Sequence, residues 1–354
     1  MLGTLVGGRI SVGAAGVTAS KVALATAVRY GALRRQFGPE GRGETSVLDY
    51  PAHQQRLMPQ VAATYALHFA NADLQRRWQA HEGDDMREIE ALAAGIKALS
   101  TWHAIDATQV ARECCGGMGF LSRNRICQLR RDVDVFATFE GDNVVLLQLV
   151  AKGLLSGFAR ELSHNLFGTI ITEIGERAKR ALIDQNPVAR RRTDDEHLLD
   201  VDFHRDILRA RTHNLLVSAA RRMKRRTDEG LDAFEAFTAI QAHAVALATA
   251  HIEEHVHDRF AAAIASMSKS PERDALEATR ALWAVWRLHD DIGWFLENDC
   301  VEPGKARAIR KLLGRQCARV REMAIPLVDA FGIPDEMLGP IAFEQYAENA
   351  MLGA

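Results

Sequence analysis

Ile89-Glu-Ala-Leu-Ala-Ala-Gly-Ile-Lys-Ala-Leu-Ser-Thr-Trp-His-Ala-Ile105, continued by Asp106-Ala-Thr-Gln-Val-Ala-Arg-Glu-Cys-Cys-Gly-Gly117, decides the fold class. Ile89, Leu92, Ile96, Leu99, Trp102 and Ile105 recur at three-and-four spacing, which predicts one buried stripe along a helix. The Gly116-Gly117 pair stops that helix. Outward from it the same period predicts helices over roughly 10–33, 52–80, 143–160, 165–185, 202–228, 232–266, 271–298, 304–330 and 335–350. Strand-type alternation and hairpin turn pairs are almost absent. The expectation is an all-α chain whose long neighbouring helices pack as bundles.

The chain has 354 residues, which at roughly 150 residues per domain predicts about two domains. The polar run Gln185-Asn-Pro-Val-Ala-Arg-Arg-Arg-Thr-Asp-Asp-Glu196 is the natural boundary, giving domains 1–185 and 201–354 joined by a linker over 186–200. Apolar residues at 47% and charged residues at 25% exclude disordered, collagenous and membrane-spanning compositions. With 44 Lys and Arg against 46 Asp and Glu, the net charge is -2, so no overall field draws nucleic acid. Arg221-Arg-Met-Lys-Arg-Arg226 is followed by Asp228 and Glu229 and reads as a solvated helix end. Five cysteines, an odd number that includes the adjacent Cys114 and Cys115, point to a reducing, cytoplasmic compartment. The longest uncharged run, Ala236 to Ile252, contains polar residues and is shorter than the ~20 apolar residues of a spanning helix, so no membrane span is expected. Neither a signal-peptide pattern at Met1 nor a peroxisomal address at Met351-Leu-Gly-Ala354 is read.

Three motifs are candidates for chemistry. Glu113-Cys-Cys-Gly-Gly-Met-Gly-Phe120 follows a helix rather than a strand and lacks the third glycine of a dinucleotide fingerprint. Two readings remain open there: plain helix termination, or a turn that lets backbone amides approach something bulky. In Arg131-Asp-Val-Asp-Val-Phe-Ala-Thr-Phe-Glu-Gly-Asp-Asn143, Asp142 or Asn143 suits an N-cap. Glu140, flanked by Phe139 and Gly141, is either part of that cap or a partly desolvated general base. His251-Ile-Glu-Glu-His255 has the spacing of an inverted zinc-protease motif, but His251 continues the stripe Phe237, Ile240, Ala244, Leu247 and reads as a core or interface histidine. No metal site is assigned. The nucleophile elbow, the phosphate-binding Walker loop and the paired-cysteine motif are all missing, which removes the corresponding hydrolase, triphosphatase and zinc-ribbon readings.

Taken together, Tyr30-Gly-Ala-Leu-Arg-Arg-Gln-Phe-Gly-Pro39, Leu48-Asp-Tyr-Pro-Ala-His-Gln-Gln-Arg-Leu57, Arg112 to Phe120 and Thr138-Phe-Glu-Gly-Asp-Asn143 resemble the acyl-CoA oxidase branch of the acyl-CoA dehydrogenase superfamily. The resemblance implies two helical bundles: one like the C-terminal domain of acyl-CoA dehydrogenases, then one like the extra C-terminal domain of the oxidases. It also implies that the family's N-terminal helical domain and β domain, which cover the flavin and much of the substrate, lie outside this chain.

What the resemblance implies for chemistry is specific. Glu140 matches the base that removes the pro-R α-proton of a fatty acyl-CoA while the β-hydrogen leaves to FAD, giving a trans-2-enoyl-CoA. A placed base supplies about 10²- to 10⁴-fold, so the thioester carbonyl must also be polarised, by the Glu140 amide and a flavin ribityl hydroxyl. Arg34, Gln36 and Phe37 match a stretch that reaches the FAD of a neighbouring subunit, and Gln54 matches a second cross-subunit contact. Glu113, Gly116 and Gly117 match the turn that receives the adenosine end of FAD. Arg9 and Gly141 match positions beside the substrate, and Asp142 gives the oxidase-like Gly-Asp-Asn form. The implied partners are a fatty acyl-CoA and either a second copy in a homodimer or a chain supplying the N-terminal domains. Two other readings accompany this one: a dehydrogenase that passes electrons to an electron-transfer flavoprotein, and a non-catalytic helical scaffold that keeps the family's dimer surface.

Overall fold

In the computed structural model, which describes residues 2–41, 43–81, 86–164 and 191–343, the chain is helical throughout and no strand forms among the described residues. Among the described residues, five α-helices lie in the first half: α1 Leu2–Leu33, α2 Pro51–Gln79, α3 Arg87–Cys114, α4 Ile126–Asp134 and α5 Asn143–His164. The second half holds α6 Asp195–Leu199, α7 Val201–Asp228, α8 Ala233–Thr238, α9 Gln241–Ala265, α10 Pro271–Asp290, α11 Ile292–Glu297, α12 Pro303–Glu322 and α13 Ala324–Asp329. Starts follow local chemistry. Proline opens α2, α10 and α12 at the first turn, where its missing N–H costs nothing. Asp232 caps α8 in a reciprocal pair with Glu235.

The arrangement of α1, α2 and α3 places the site. Gly13 lies against Lys97 and Gly16 against Ser100, so α1 and α3 run in the same direction. Gly7 lies against Trp78 and Gly31 against His53, so α2 runs the opposite way. From the second half, α9, α10 and α12 pack on α2, and α9 also packs on α5. One buried apolar cluster consequently extends from Val6 to Ala342, so the two bundles share a core.

Some sequence expectations need correction. On α3, Ile89, Leu92 and Ile96 are buried, but Leu99, Trp102 and Ile105 are only partly so. The face that is buried along its length is one of small and polar residues, from Ala93 and Lys97 through Thr101 and Thr108. This helix is surrounded, and small side chains let its neighbours come close. The spans expected over 232–266, 271–298 and 304–330 each break once, near Ile240, Asp291 and Met323. Of the helix expected over 335–350, the described part up to residue 343 instead forms two short turns at Asp335–Met337 and Pro340–Ala342, where Pro334 and the Gly339-Pro340 pair interrupt helical bonding, and the rest lies outside the described residues. The helix expected over 165–185 lies outside the described residues, as does the first part of the linker; its second part contains α6. Leu5–Leu33 is long and apolar enough to cross a membrane by length and composition. Arg9, Lys21 and Arg29 interrupt it, which is why the uncharged run at 236–252 looked longer. In this fold 61% of its most apolar window is buried, as in a core helix.

Two measurements probe this packing. A Cβ at Gly119 would collide with the Arg112 carbonyl oxygen and sit 3.0 Å from the Cys115 Cβ, whereas one at Gly117 meets nothing within 4 Å. Gly119→Ala should therefore lower the thermal midpoint by an amount worth roughly 1–3 kcal/mol, and Gly117→Ala should leave it nearly unchanged. The second concerns pH. His103 is buried and bonded at 2.7 Å to Thr64, and burial pushes its pKa down to about 3; His255 is pushed down to about 4 for the same reason. Both are neutral in the fold yet take up protons when unfolded, so stability is full above about pH 6.5 and falls as pH drops toward 4. Urea midpoints measured between pH 7 and pH 4 should show this loss, with a shallower slope in His103→Gln; equal slopes would remove His103 from the account.

Candidate active site

At the start of α5 the backbone makes a left-handed bend. Glu140 has φ +59° and Gly141 φ +111°. A non-glycine residue in that region costs roughly 1–2 kcal/mol, so other groups must hold it. Asp142 caps α5, accepting from the Val144 and Val145 amides at 2.9 and 3.2 Å. Beneath the bend lies Lys97, 1% exposed. Its ammonium donates to the Gly141 carbonyl at 2.7 Å, the Ala137 carbonyl at 3.3 Å and Asn143 Oδ1 at 2.9 Å. Burial pushes the Lys97 pKa down to about 8; the charges of Asp142 and Glu140 oppose that, and Arg9 adds to it. Asn143 Nδ2 in turn donates to Thr101 Oγ1 at 2.9 Å and the Ala98 carbonyl at 3.3 Å.

The Glu140 side chain rests on α1. A Cβ at Gly8 would lie 2.5 and 2.6 Å from the two carboxyl oxygens, so only glycine leaves room for them. Arg9 Nε donates to the Glu140 carbonyl at 3.3 Å. Among the described residues the Glu140 N–H has no acceptor. The expected desolvation is not supplied by this chain, since Glu140 is exposed. Its surroundings are apolar but open: Phe139 is 53% and Val145 61% exposed, with Leu5, Val135, Val144 and Leu149 also on the surface.

The remaining expected site residues gather at the far ends of α1 and α3. At the end of α3, Glu113 pairs with Arg56 and accepts from Gln109 at 2.6 Å, and these bonds, the Gln109 one first, hold its carboxyl below the ordinary range. Gly116 takes φ +55°, and a Cβ at Gly116 or Gly117 would meet nothing within 4 Å, so this backbone faces open space. After α1 the chain folds back on itself: Gln36 N donates to the Thr45 carbonyl at 2.9 Å and Thr45 N to the Phe37 carbonyl at 2.7 Å. Arg34 is half-buried, while Gln36 is exposed and Phe37 is 70% exposed. Gln54 lies at the same end, on the first turn of α2 between His53 and Arg56; it is buried and donates to the Leu48 carbonyl at 3.2 Å, bracing the turn before α2. Because α1 and α3 are parallel, Arg34–Phe37 and Glu113–Gly117 share one end and Glu140, Gly141 and Arg9 the other. From Lys97 to Glu113 the helix rises about 24 Å.

The other motifs stay structural. In the basic run, Lys224 pairs with Asp228 at 2.7 Å and Arg226 with Glu229 at 2.9 Å. Glu254 of the His251–His255 motif pairs with Arg209, and no group of three metal-ligating side chains assembles among the described residues. Sequence reasoning missed Lys97 and Gly8. The available signal for Lys97 was a lone charge among alanines in the middle of α3; Gly8 carried none.

Comparison with known proteins places the chain in a family. The model of the acyl-CoA oxidase C-alpha1 domain matches residues 2–155, and the acyl-CoA oxidase model matches residues 200–341. Acyl-coenzyme A oxidase 2, peroxisomal, of Arabidopsis thaliana is 38% identical over 351 residues, covering 98% of this chain and 51% of that protein. The crystal structure of acyl-CoA oxidase 1 from Yarrowia lipolytica superposes with a TM-score of 0.85 at 30% identity, over 96% of this chain and 52% of that one. Acyl-CoA oxidase-2 of Caenorhabditis elegans, solved with FAD, ascaroside-CoA and ATP, has a TM-score of 0.81 at 21% identity, a likeness of fold, over 97% of this chain and 52% of that one. The chain thus spans about half the length of the relatives it matches. Two family models in order, one on each bundle, and a shared helical architecture show that this chain belongs to the acyl-CoA oxidase family and corresponds to its C-terminal helical half.

Proposed function

We propose that the chain is the helical half of an FAD-dependent acyl-CoA oxidase and that Glu140 takes the pro-R α-proton from a fatty acyl-CoA, the product being a trans-2-enoyl-CoA. The observation that carries this reading is the Glu140 bend. It fixes a carboxyl group on α1 and leaves the same residue's N–H unengaged beside it. A base and an oxyanion donor on one residue suit removal of a proton next to a thioester carbonyl, because the charge that develops on the carbonyl oxygen meets the amide. The apolar rim of Phe139, Val144, Val145 and Leu149 supports a covering surface from the family's N-terminal and β domains.

FAD, when bound, accepts the β-hydrogen with its electron pair. The residues at the far end of α1 and α3 fit that cofactor. Gly116 and Gly117 offer backbone without side-chain obstruction, Glu113 is held in one orientation, and Arg34 supplies a guanidinium suited to a pyrophosphate. Their distance from Glu140 supports a two-fold pairing in which Arg34, Gln36, Phe37, Glu113, Gly116 and Gly117 of one copy reach the cofactor serving the other. A neighbour of the same fold was solved with FAD. Asp142 contributes by capping α5, and relatives named acyl-coenzyme A oxidases support reoxidation by O2 over transfer to an electron-transfer flavoprotein. Five free cysteines support a reducing compartment such as the cytoplasm.

The test uses this chain produced together with a polypeptide that supplies the N-terminal and β domains, assayed for bound flavin, enoyl-CoA and peroxide. The intact complex should turn over, and Glu140→Gln should abolish turnover while flavin stays bound. Turnover retained in that variant removes Glu140 from its role, and a complex with no flavin spectrum favours a non-catalytic scaffold instead. Gly8→Ala separates position from presence: it should cut turnover about 10²-fold by displacing the carboxyl, while the helix gains roughly 1 kcal/mol of propensity and does not melt earlier.

A further inference from the structure

The bend that carries Glu140 is held by a group to which the chemistry above gives no part. An ammonium has three N–H donors. On Lys97 all three are engaged, and every acceptor belongs to the segment around Glu140: the Ala137 carbonyl before it, the Gly141 carbonyl after it, and the Asn143 side chain at the start of α5. All three acceptors are neutral, so the charge is buried without a carboxylate bonded to it. An apolar side chain of similar length would fill this place at lower desolvation cost, so packing does not account for a lysine here. What the ammonium supplies is geometry at a bend that is unfavourable for the glutamate it contains.

We propose that Lys97 is a positioning residue for Glu140: by joining carbonyls on both sides of the left-handed bend to the first residue of α5, it fixes the direction of the carboxylate. Asn143 is the second anchor, since the Ala98 carbonyl, next to Lys97, and Thr101, one turn beyond it, hold it on α3. Lys97 acts from beneath, on the backbone, and Gly8 limits the side chain from above. The inference rests on Glu140 being the base.

The test is Lys97→Met, which keeps length and removes the donors. In the 354-residue chain, exchange of the Thr138, Phe139 and Gly141 amides, which donate to the Val135 and Thr138 carbonyls, should rise at least about tenfold while α3 amides stay protected, as expected when charged hydrogen bonds to one segment are lost. In the assembled flavoenzyme, kcat should fall about 10²-fold with flavin content and KM unchanged. Unchanged exchange at the bend, a rise spread equally over α3 and α5, or a retained kcat while Glu140→Gln is inactive would each overturn the role of Lys97. Should Lys97→Met fail to fold, Thr101→Val, which loosens Asn143 by removing its hydroxyl partner and spares the ammonium, must still speed exchange at the same amides; no acceleration there overturns the proposal. Turnover that survives Glu140→Gln instead overturns the base assignment and leaves the exchange result standing, so the two failures are told apart.

Discussion

Lys97 sits where α1, α3 and α5 meet, and its three hydrogen bonds connect the middle of the central helix to the bend that opens α5. Around it the α1–α3 contact is close because Gly13 and Gly16 face Lys97 and Ser100. With larger residues there the helices would separate, the ammonium would reach water, and the left-handed backbone at Glu140 would lose its support. A buried charge, a pair of small residues and a strained glutamate thus depend on one another.

The same parallel pair places the proposed site residues at two ends of the molecule. One carries Glu140 with Gly8 and Arg9. The other carries the glycine turn after α3 and the folded-back loop after α1, braced by Tyr50 on the Gln36 carbonyl and by the Arg56–Glu113 pair. Each end leaves large apolar side chains in solvent, Phe139 and Val145 at one and Phe37 and Phe120 at the other. A core this continuous does not need those residues outside for its own stability. On the reading proposed above, they lie on the surfaces that the rest of the assembly covers.

Much of this was legible in the sequence because helical period and local caps are short-range signals. Asp142 ahead of Val144 and Val145, proline at the starts of α2, α10 and α12, and the Gly116-Gly117 stop all act within one turn of where they stand. The Glu140 motif was legible through its family resemblance, and its position at a helix start through the cap. What could not be read depends on contacts between distant segments. Leu99, Trp102 and Ile105 looked like the buried stripe, but α3 is enclosed on its small-residue face by α1 and α5. Lys97 and Asn143 are 46 residues apart, and Gly8 and Glu140 are farther still.

The central claim is that Glu140, held in its bend, exchanges a proton with the carbon beside a thioester, and it can be measured apart from any redox step. An acyl-CoA analogue that cannot lose a β-hydrogen, incubated with the assembled protein in deuterium oxide, reports that exchange as mass gained at the α-carbon. The account predicts rapid incorporation with the native chain and none above background with Glu140→Gln. Equal incorporation by the two proteins would contradict it.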